Sequence, residues 1–117
     1  FEPAFYAQHA VRAEFVGHPL ADQVPLDVDR AGARRTLGVP EDARVVALLP
    51  GSRVAEVRRL GADFAATAVL LAGNASPPPV FLAPMATEKV AAIFAQQVRD
   101  SGAVVRLVDR AADTVQY

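Results

Sequence analysis

The sequence predicts an α/β fold in which helices flank a parallel sheet. Three apolar runs without polar alternation, at residues 44–49, 80–85 and 103–108, are typical of strands covered on both faces. Helical spacing of apolar residues follows the first two runs, and another helix begins after the third. Because alternating strands and helices build parallel sheets, we expect the three strands to lie side by side.

The first part of the chain carries weaker signals. Residues 3–9 are compatible with a short helix, and residues 13–16 resemble a strand. His18 follows in an extended turn, because a glycine precedes it and a proline follows it. We interpret His18 as a residue that hydrogen-bonds the turn or a neighbouring segment, and the alternative is a polar group lining a cleft.

A connector and a short helix precede the first predicted strand. Residues 19–29 alternate prolines with carboxylates and keep no regular period, which is typical of a connector. Asp29 is placed to cap a helix that starts at Arg30 and stops at Gly38. We interpret Arg34 and Arg35 as its solvated face, with a functional basic spot as the alternative.

The two later helices have clear start and stop signals. The first runs from about residue 55 to 71 and ends at Gly73 and Asn74. Thr87 is placed to cap the second, and Gly102 closes it. The apolar stripes predicted to face the sheet are Val57, Leu60, Phe64, Ala68 and Leu71 in the first helix and Val90, Ile93, Phe94 and Val98 in the second.

Composition excludes several classes of function. The 117 residues carry 12 basic and 13 acidic side chains, so net charge implies no nucleic-acid partner. There is no cysteine, and His9 and His18 do not have a recognised metal-ligand spacing. No apolar run approaches the length needed to span a bilayer. The start at Phe1 and a helical pattern still under way at Tyr117 predict a central piece of a longer protein.

The most informative stretch is residues 47–53, where the first strand ends in a Pro-Gly-Ser-Arg turn before a helix. The first turn of a helix leaves backbone N–H groups without intrahelical partners and carries partial positive charge, which suits a phosphate. Gly51 allows close approach to the backbone, Ser52 is placed to cap the helix, and Arg53 offers a fork of donors. The alternative is an ordinary turn with a solvated Arg53, because the lysine of a P-loop is missing.

Four stretches of the sequence form a recognisable series. They are Phe-Glu-Pro-Ala-Phe-Tyr at 1–6, Phe-Val-Gly-His-Pro-Leu-Ala-Asp at 15–22, Gly-Ala-Arg-Arg-Thr-Leu-Gly-Val-Pro at 32–40 and Leu-Leu-Pro-Gly-Ser-Arg-x-x-Glu-Val at 48–57. In this order they resemble the lipid-A-disaccharide synthase family. The similarity is close through about residue 72 and looser afterwards, where mainly the alternation of strands and helices and Pro84 still match the family. Four matches in one order are more specific than any single match.

The resemblance implies a GT-B glycosyltransferase, in which two Rossmann-like domains face each other across a cleft. The family transfers 2,3-diacylglucosamine from its UDP carrier to 2,3-diacylglucosamine 1-phosphate in lipid A biosynthesis, with inversion at the anomeric carbon and release of UDP. The implied partners are the UDP-sugar donor and the acylated glucosamine phosphate acceptor, with no metal and no other cofactor. The implied location is the bacterial cytoplasm, peripheral at the inner membrane, with membrane contact through segments outside this chain.

The resemblance also divides the chain and assigns residues. Residues 1–20 would be the tail of the N-terminal domain, 21–43 the interdomain connector with its short helix, and 44–117 the beginning of the nucleotide-sugar-binding Rossmann-like domain. His18 becomes a cleft or hinge residue. The implied UDP-binding residues are Gly51, Ser52, Arg53 and Glu56. Glu56 would orient Arg53 by a salt link, or would be only an exposed helix charge.

The catalytic base and the acceptor site are expected outside this chain, so we predict that the 117 residues alone have no transferase activity. Two other classes of protein remain open. One is a non-catalytic α/β ligand-binding or receiver-like module, although the first strand ends without the acidic cluster that receivers need. The other is a different GT-B-type nucleotide-sugar enzyme, such as an epimerase.

Overall fold

The computed structural model describes residues 2–18, 21 and 26–108. The described helices and strands, in chain order, are α1 (Glu2–Gln8), α2 (Arg30–Leu37), β1 (Val45–Ala47), α3 (Val54–Gly73), β2 (Val80–Pro84), α4 (Glu88–Ser101) and β3 (Val105–Val108). The helix predicted to begin after the third strand lies outside the described residues.

The three strands form one parallel sheet in the order β1-β2-β3. Ala47 pairs with Leu82, and Leu82 pairs with Arg106. The ladder continues beyond β1, because the Leu48 N–H donates to the Leu82 carbonyl at 2.8 Å. The prediction of an α/β, Rossmann-like parallel sheet with flanking helices is confirmed.

The main core lies between one face of this sheet and the helices α3 and α4. Side chains alternate along a strand, so Phe81 and Ala83 point to the same face, and both are buried. They belong to one cluster with Val57 of α3 and Phe94 of α4, both fully buried. Asp29 and Thr87 cap α2 and α4 as predicted, and Gly38 and Gly102 end these helices in the left-handed conformation.

The predicted apolar stripe of α3 is confirmed in part. Val57 and Ala68 are buried and Phe64 packs against the core, as expected, whereas Leu71 is 42% exposed. The stripe omits Gly61 and Ala65, which are also buried. These small residues allow α4 to pack closely on α3.

The opposite face of the sheet meets α2. Arg106 on β3 donates from Nη1 to the carbonyl of Leu37, which ties the end of α2 to the sheet. Arg34 in α2 donates from Nη1 to the carbonyls of Pro40 and Ala43, which follow the helix, at 2.6 and 3.0 Å. The solvated-face interpretation is therefore wrong for Arg34, whose guanidinium holds the loop before β1, and is confirmed for the exposed Arg35.

The segment before residue 18 packs loosely. Helix α1 has no buried residue, although the Phe5 and His9 rings lie 4.9 Å apart. Residues 13–16 are exposed and irregular, so the strand-like interpretation of this run is wrong. A run with strand propensity forms a strand only where it can pair with a neighbouring strand and pack under a covering layer. Residues 13–16 do neither.

Candidate functional site

The candidate site is the turn between β1 and α3. Leu48 and Pro50 are buried and anchor the turn to the core, while Ser52 and Arg53 are exposed. Arg53 is extended, at φ −106° and ψ 145°, and stands at the N-cap position before Val54 begins the helix. The prediction that Ser52 caps α3 is wrong, because the helix starts one residue later than a Ser52 cap requires.

Gly51 is required by the geometry of this turn. Its φ is +126°, a backbone angle that residues with a side chain rarely adopt. A Cβ at this position would lie 2.7 Å from the Cβ of Glu56 and 2.8 Å from its Oε2. The turn therefore closes onto the first turn of α3 only because residue 51 lacks a side chain.

Glu56 is bound into the turn by its carboxylate. Its Oε2 accepts the backbone N–H groups of Ser52 and Arg53, both at 3.1 Å. Its Oε1 accepts Nη1 of Arg53 at 2.7 Å, which is also an ion pair. The predicted salt link between Glu56 and Arg53 is present, and the same carboxylate takes the backbone donors that were expected to face a phosphate.

These contacts change the titration of Glu56. The backbone N–H of Arg53 contributes most to lowering the pKa of the Glu56 carboxyl below its usual value of 4.5. The Arg53 side chain, the Ser52 N–H and the Arg53 charge lower it further, and desolvation opposes them. The carboxylate is therefore the stable form of Glu56 at neutral pH.

Donors for an outside anion remain in the turn. The Arg53 side chain is 81% exposed despite its ion pair. The first intrahelical hydrogen bond runs from the Val57 N–H to the Arg53 carbonyl at 3.1 Å, so the N–H groups of Val54 and Ala55 have no intrahelical acceptor. The turn thus presents an exposed guanidinium and a helix N-terminus together.

The other strand ends are less suited to an anion. At the end of β2, the Thr87 hydroxyl accepts the Val90 N–H at 3.2 Å and serves as a helix cap. The third strand end, at residues 109–111, lies outside the described residues. His18 is exposed in an irregular segment, and its carbonyl accepts the Ala21 N–H at 2.9 Å. Its predicted role as a cleft or hinge residue stays a prediction.

Two features are absent from residues 2–18, 21 and 26–108. No cluster of three or more metal-ligating side chains occurs among these residues. None of the helices described there has the length and apolar character that crossing a bilayer demands.

The fold and the turn together define a class of protein. A parallel sheet of Rossmann-like type carries a Gly-Ser-Arg turn at the carboxyl end of β1, next to the end of β2. In sheets of this kind, ligands bind outside the carboxyl ends of the strands. The class is therefore an α/β protein with a Rossmann-like sheet, and this turn is its candidate ligand site.

The chain belongs to the lipid-A-disaccharide synthetase family, a family of glycosyltransferases of lipid A biosynthesis, because the model of that family matches residues 1–112. It is 48% identical over 103 residues to the lipid-A-disaccharide synthase of Aromatoleum aromaticum, covering 88% of this chain and 26% of that protein. The Azoarcus sp. synthase is 49% identical over 94 residues, covering 80% of this chain and 24% of its own length. An Escherichia coli synthase is 58% identical over 71 residues, or 61% of this chain and 19% of that enzyme. The chain thus spans about a quarter or less of these relatives.

Sequence reasoning missed how Glu56 binds the turn. The signal that was available is the glutamate at the third helical position, which commonly reaches back to the N–H of the N-cap residue. If Ser52 is taken as the N-cap, Glu56 is the fourth helical position, one later than this pattern requires. With Arg53 as the N-cap, Glu56 falls at the third position and its contacts follow.

Proposed function

We propose that this chain is part of an inverting glycosyltransferase that transfers 2,3-diacylglucosamine from UDP to 2,3-diacylglucosamine 1-phosphate, giving the lipid A disaccharide and UDP. Membership of the family supports this reaction class. The proposed division is residues 1–20 as the tail of one domain, 21–43 as the connector, and 44–117 as the start of the UDP-sugar-binding domain.

The observation that carries the proposal is the exposed Arg53 guanidinium at the N-terminus of α3, beside a glycine whose φ is positive. Departure of UDP develops negative charge on the diphosphate. Preorganised N–H groups, a helix dipole and a guanidinium stabilise such charge without a metal ion. Gly51, Ser52, Arg53 and Glu56 form the proposed diphosphate site, with no metal or other cofactor.

The remaining assignments rest on the same family membership. The general base and the acceptor site are proposed to lie outside this chain, so the 117 residues alone should lack transferase activity. The protein is proposed to work in the bacterial cytoplasm, peripheral at the inner membrane. Turnover of both acylated sugars by the 117-residue chain would contradict the first of these assignments.

Titration with UDP tests the site. The longest polypeptide that contains these residues is titrated as the wild type and as Arg53→Ala. Hydrogen bonds to charged groups contribute about 1.5–3 kcal/mol, so we expect affinity to fall about tenfold or more. Arg59→Ala is the matched control, because it removes an exposed arginine from the same helix. Equal UDP affinity in the Arg53→Ala and wild-type proteins would show that Arg53 does not hold the diphosphate.

A further inference from the structure

The Glu56 carboxylate makes the contacts that an oxygen of a bound phosphate would make. Its Oε2 accepts two successive backbone N–H groups, those of Ser52 and Arg53, while its Oε1 accepts the Arg53 guanidinium. Backbone N–H groups at a helix start together with an arginine are the donors that proteins use for phosphate oxygens. The turn thus holds an anion that belongs to its own chain.

The space on the Gly51 side is filled by the same side chain. A Cβ on Gly51 would lie 2.8 Å from Oε2 and 2.7 Å from the Cβ of Glu56. A phosphate oxygen that approached the Ser52 and Arg53 N–H groups from this side would meet the Glu56 carboxylate. Two anions cannot share these donors, since they would repel each other and compete for the same hydrogens.

The Glu56 side chain can also rotate out of the turn into solvent. Its side chain is 34% exposed, and its partner Arg53 is 81% exposed. Exposed ion pairs are weak because solvent screens them. Rotation of the Glu56 side chain toward water would release the two N–H groups and the guanidinium without disturbing the buried core.

We propose that Glu56 is an internal competitor for the diphosphate site, whose carboxylate leaves the Ser52 and Arg53 N–H groups when the UDP diphosphate binds. This inference rests on the proposed function of the same turn. Glu56 would then set the affinity for UDP, and its return to the turn would help to displace UDP after the transfer.

The test uses two substitutions that act differently on the carboxylate. Glu56→Gln keeps an acceptor for the helix N-terminus but removes the charge. Glu56→Asp keeps the charge but shortens the side chain by one methylene, so its carboxylate no longer reaches the turn. The carboxylate's contacts with the turn weaken in both variants, through loss of the charge in Glu56→Gln and through withdrawal of the carboxylate in Glu56→Asp. Both should therefore bind UDP about two- to fivefold more tightly, the range that corresponds to about 0.3–1 kcal/mol at an exposed helix terminus. Glu88→Gln is the control, since it removes the same charge from the first turn of α4.

The outcomes separate this inference from the proposed function. If the wild type binds UDP and Arg53→Ala weakens it, but neither Glu56 variant binds more tightly, the turn is a diphosphate site and the competitor role is wrong. Tighter binding by Glu56→Gln alone also overturns it, because the carboxylate would then act through its charge and not by occupying the donors. If no variant binds UDP, both proposals fail.

A second readout follows the carboxylate itself. With ¹³C-labelled glutamate, the carboxyl resonance of Glu56 should move toward that of an exposed residue such as Glu88 as UDP saturates the site. A Glu56 resonance unchanged at saturation would mean that the carboxylate stays in the turn, which contradicts the proposal.

Discussion

Gly51 and Glu56 are in such close contact that a methyl group on Gly51 would lie 2.7 Å from the Cβ of Glu56. The φ of Gly51, +126°, adds a second obstacle to any side chain. These two residues close the turn between β1 and α3, so the geometry of the candidate site depends on both.

Gly51→Ala should therefore destabilise the protein. Strained backbone conformations of this kind cost about 1–3 kcal/mol, and the Cβ of Glu56 is too close to its own helix backbone to move aside cheaply. The measurement is the midpoint of urea unfolding. Gly73→Ala is the control, because Gly73 has open space around it and ends α3, where alanine should stabilise by up to about 1 kcal/mol. Equal effects of the two substitutions would contradict the described turn.

Glu56 should make stability depend on pH in the acid range. Its pKa is lower in the folded protein than the usual 4.5, so the folded state favours the carboxylate. This stabilisation is fully present above the unfolded pKa and is lost as pH falls through the folded pKa. Unfolding midpoints measured from neutral pH to below 4.5 should therefore fall less steeply for Glu56→Gln than for the wild type. Identical slopes would mean that the carboxylate is not held by the turn.

Gly61 and Gln97 should be energetically coupled. A Cβ on Gly61 would lie 2.0 Å from Oε1 of Gln97, whose Nε2 donates to the Val57 carbonyl at 3.1 Å. Gly61→Ala should displace this amide and crowd the buried Phe94 ring, at a cost of about 1–3 kcal/mol that the better helix propensity of alanine reduces by about 1 kcal/mol. In a Gln97→Ala background the cost should shrink, and a double-mutant cycle measures the difference. Additive effects would show that the two helices do not meet at this pair.

Thr87 should stabilise α4 through its cap. Its hydroxyl accepts the Val90 N–H at 3.2 Å, so Thr87→Ala should cost about 1 kcal/mol. Thr67 is the control, because its hydroxyl donates to the Asp63 carbonyl within α3 and caps nothing. Thr67→Ala should be neutral or should stabilise the protein by about a few tenths of a kcal/mol, because alanine has the higher helix propensity. Thermal unfolding that ranks the two variants in the opposite order would refute the cap.

The sequence contained the fold but not every contact of the site. Strands and helices were predictable because their signals are local: the apolar runs of β1 and β2, the caps at Asp29 and Thr87, and the glycine after α4. The apolar pattern did not include Gly61 in the buried face of α3, because its burial depends on the approach of α4, a contact that no local pattern encodes. The strand-like run at 13–16 failed for the same reason, since pairing decides whether such a run becomes a strand.

The candidate turn shows the same limit. Its glycine and arginine were recognisable from residue type and position after a strand. The occupation of its backbone donors by Glu56 was not, because it depends on which residue begins the helix. A shift of one residue in that start changes which side chain reaches the donors, and helix boundaries are the least certain part of a sequence-based prediction.

The most direct test of the central claim is a UDP titration followed by backbone amide resonances in the longest polypeptide that contains this chain. We predict saturable shifts of the Ser52, Arg53, Val54 and Ala55 amides, whose midpoint moves to about tenfold higher UDP or more in Arg53→Ala and stays at the wild-type value in Arg59→Ala. UDP binding that leaves these four amides unchanged and shifts those at another strand end, such as Thr87 and Glu88, would contradict it.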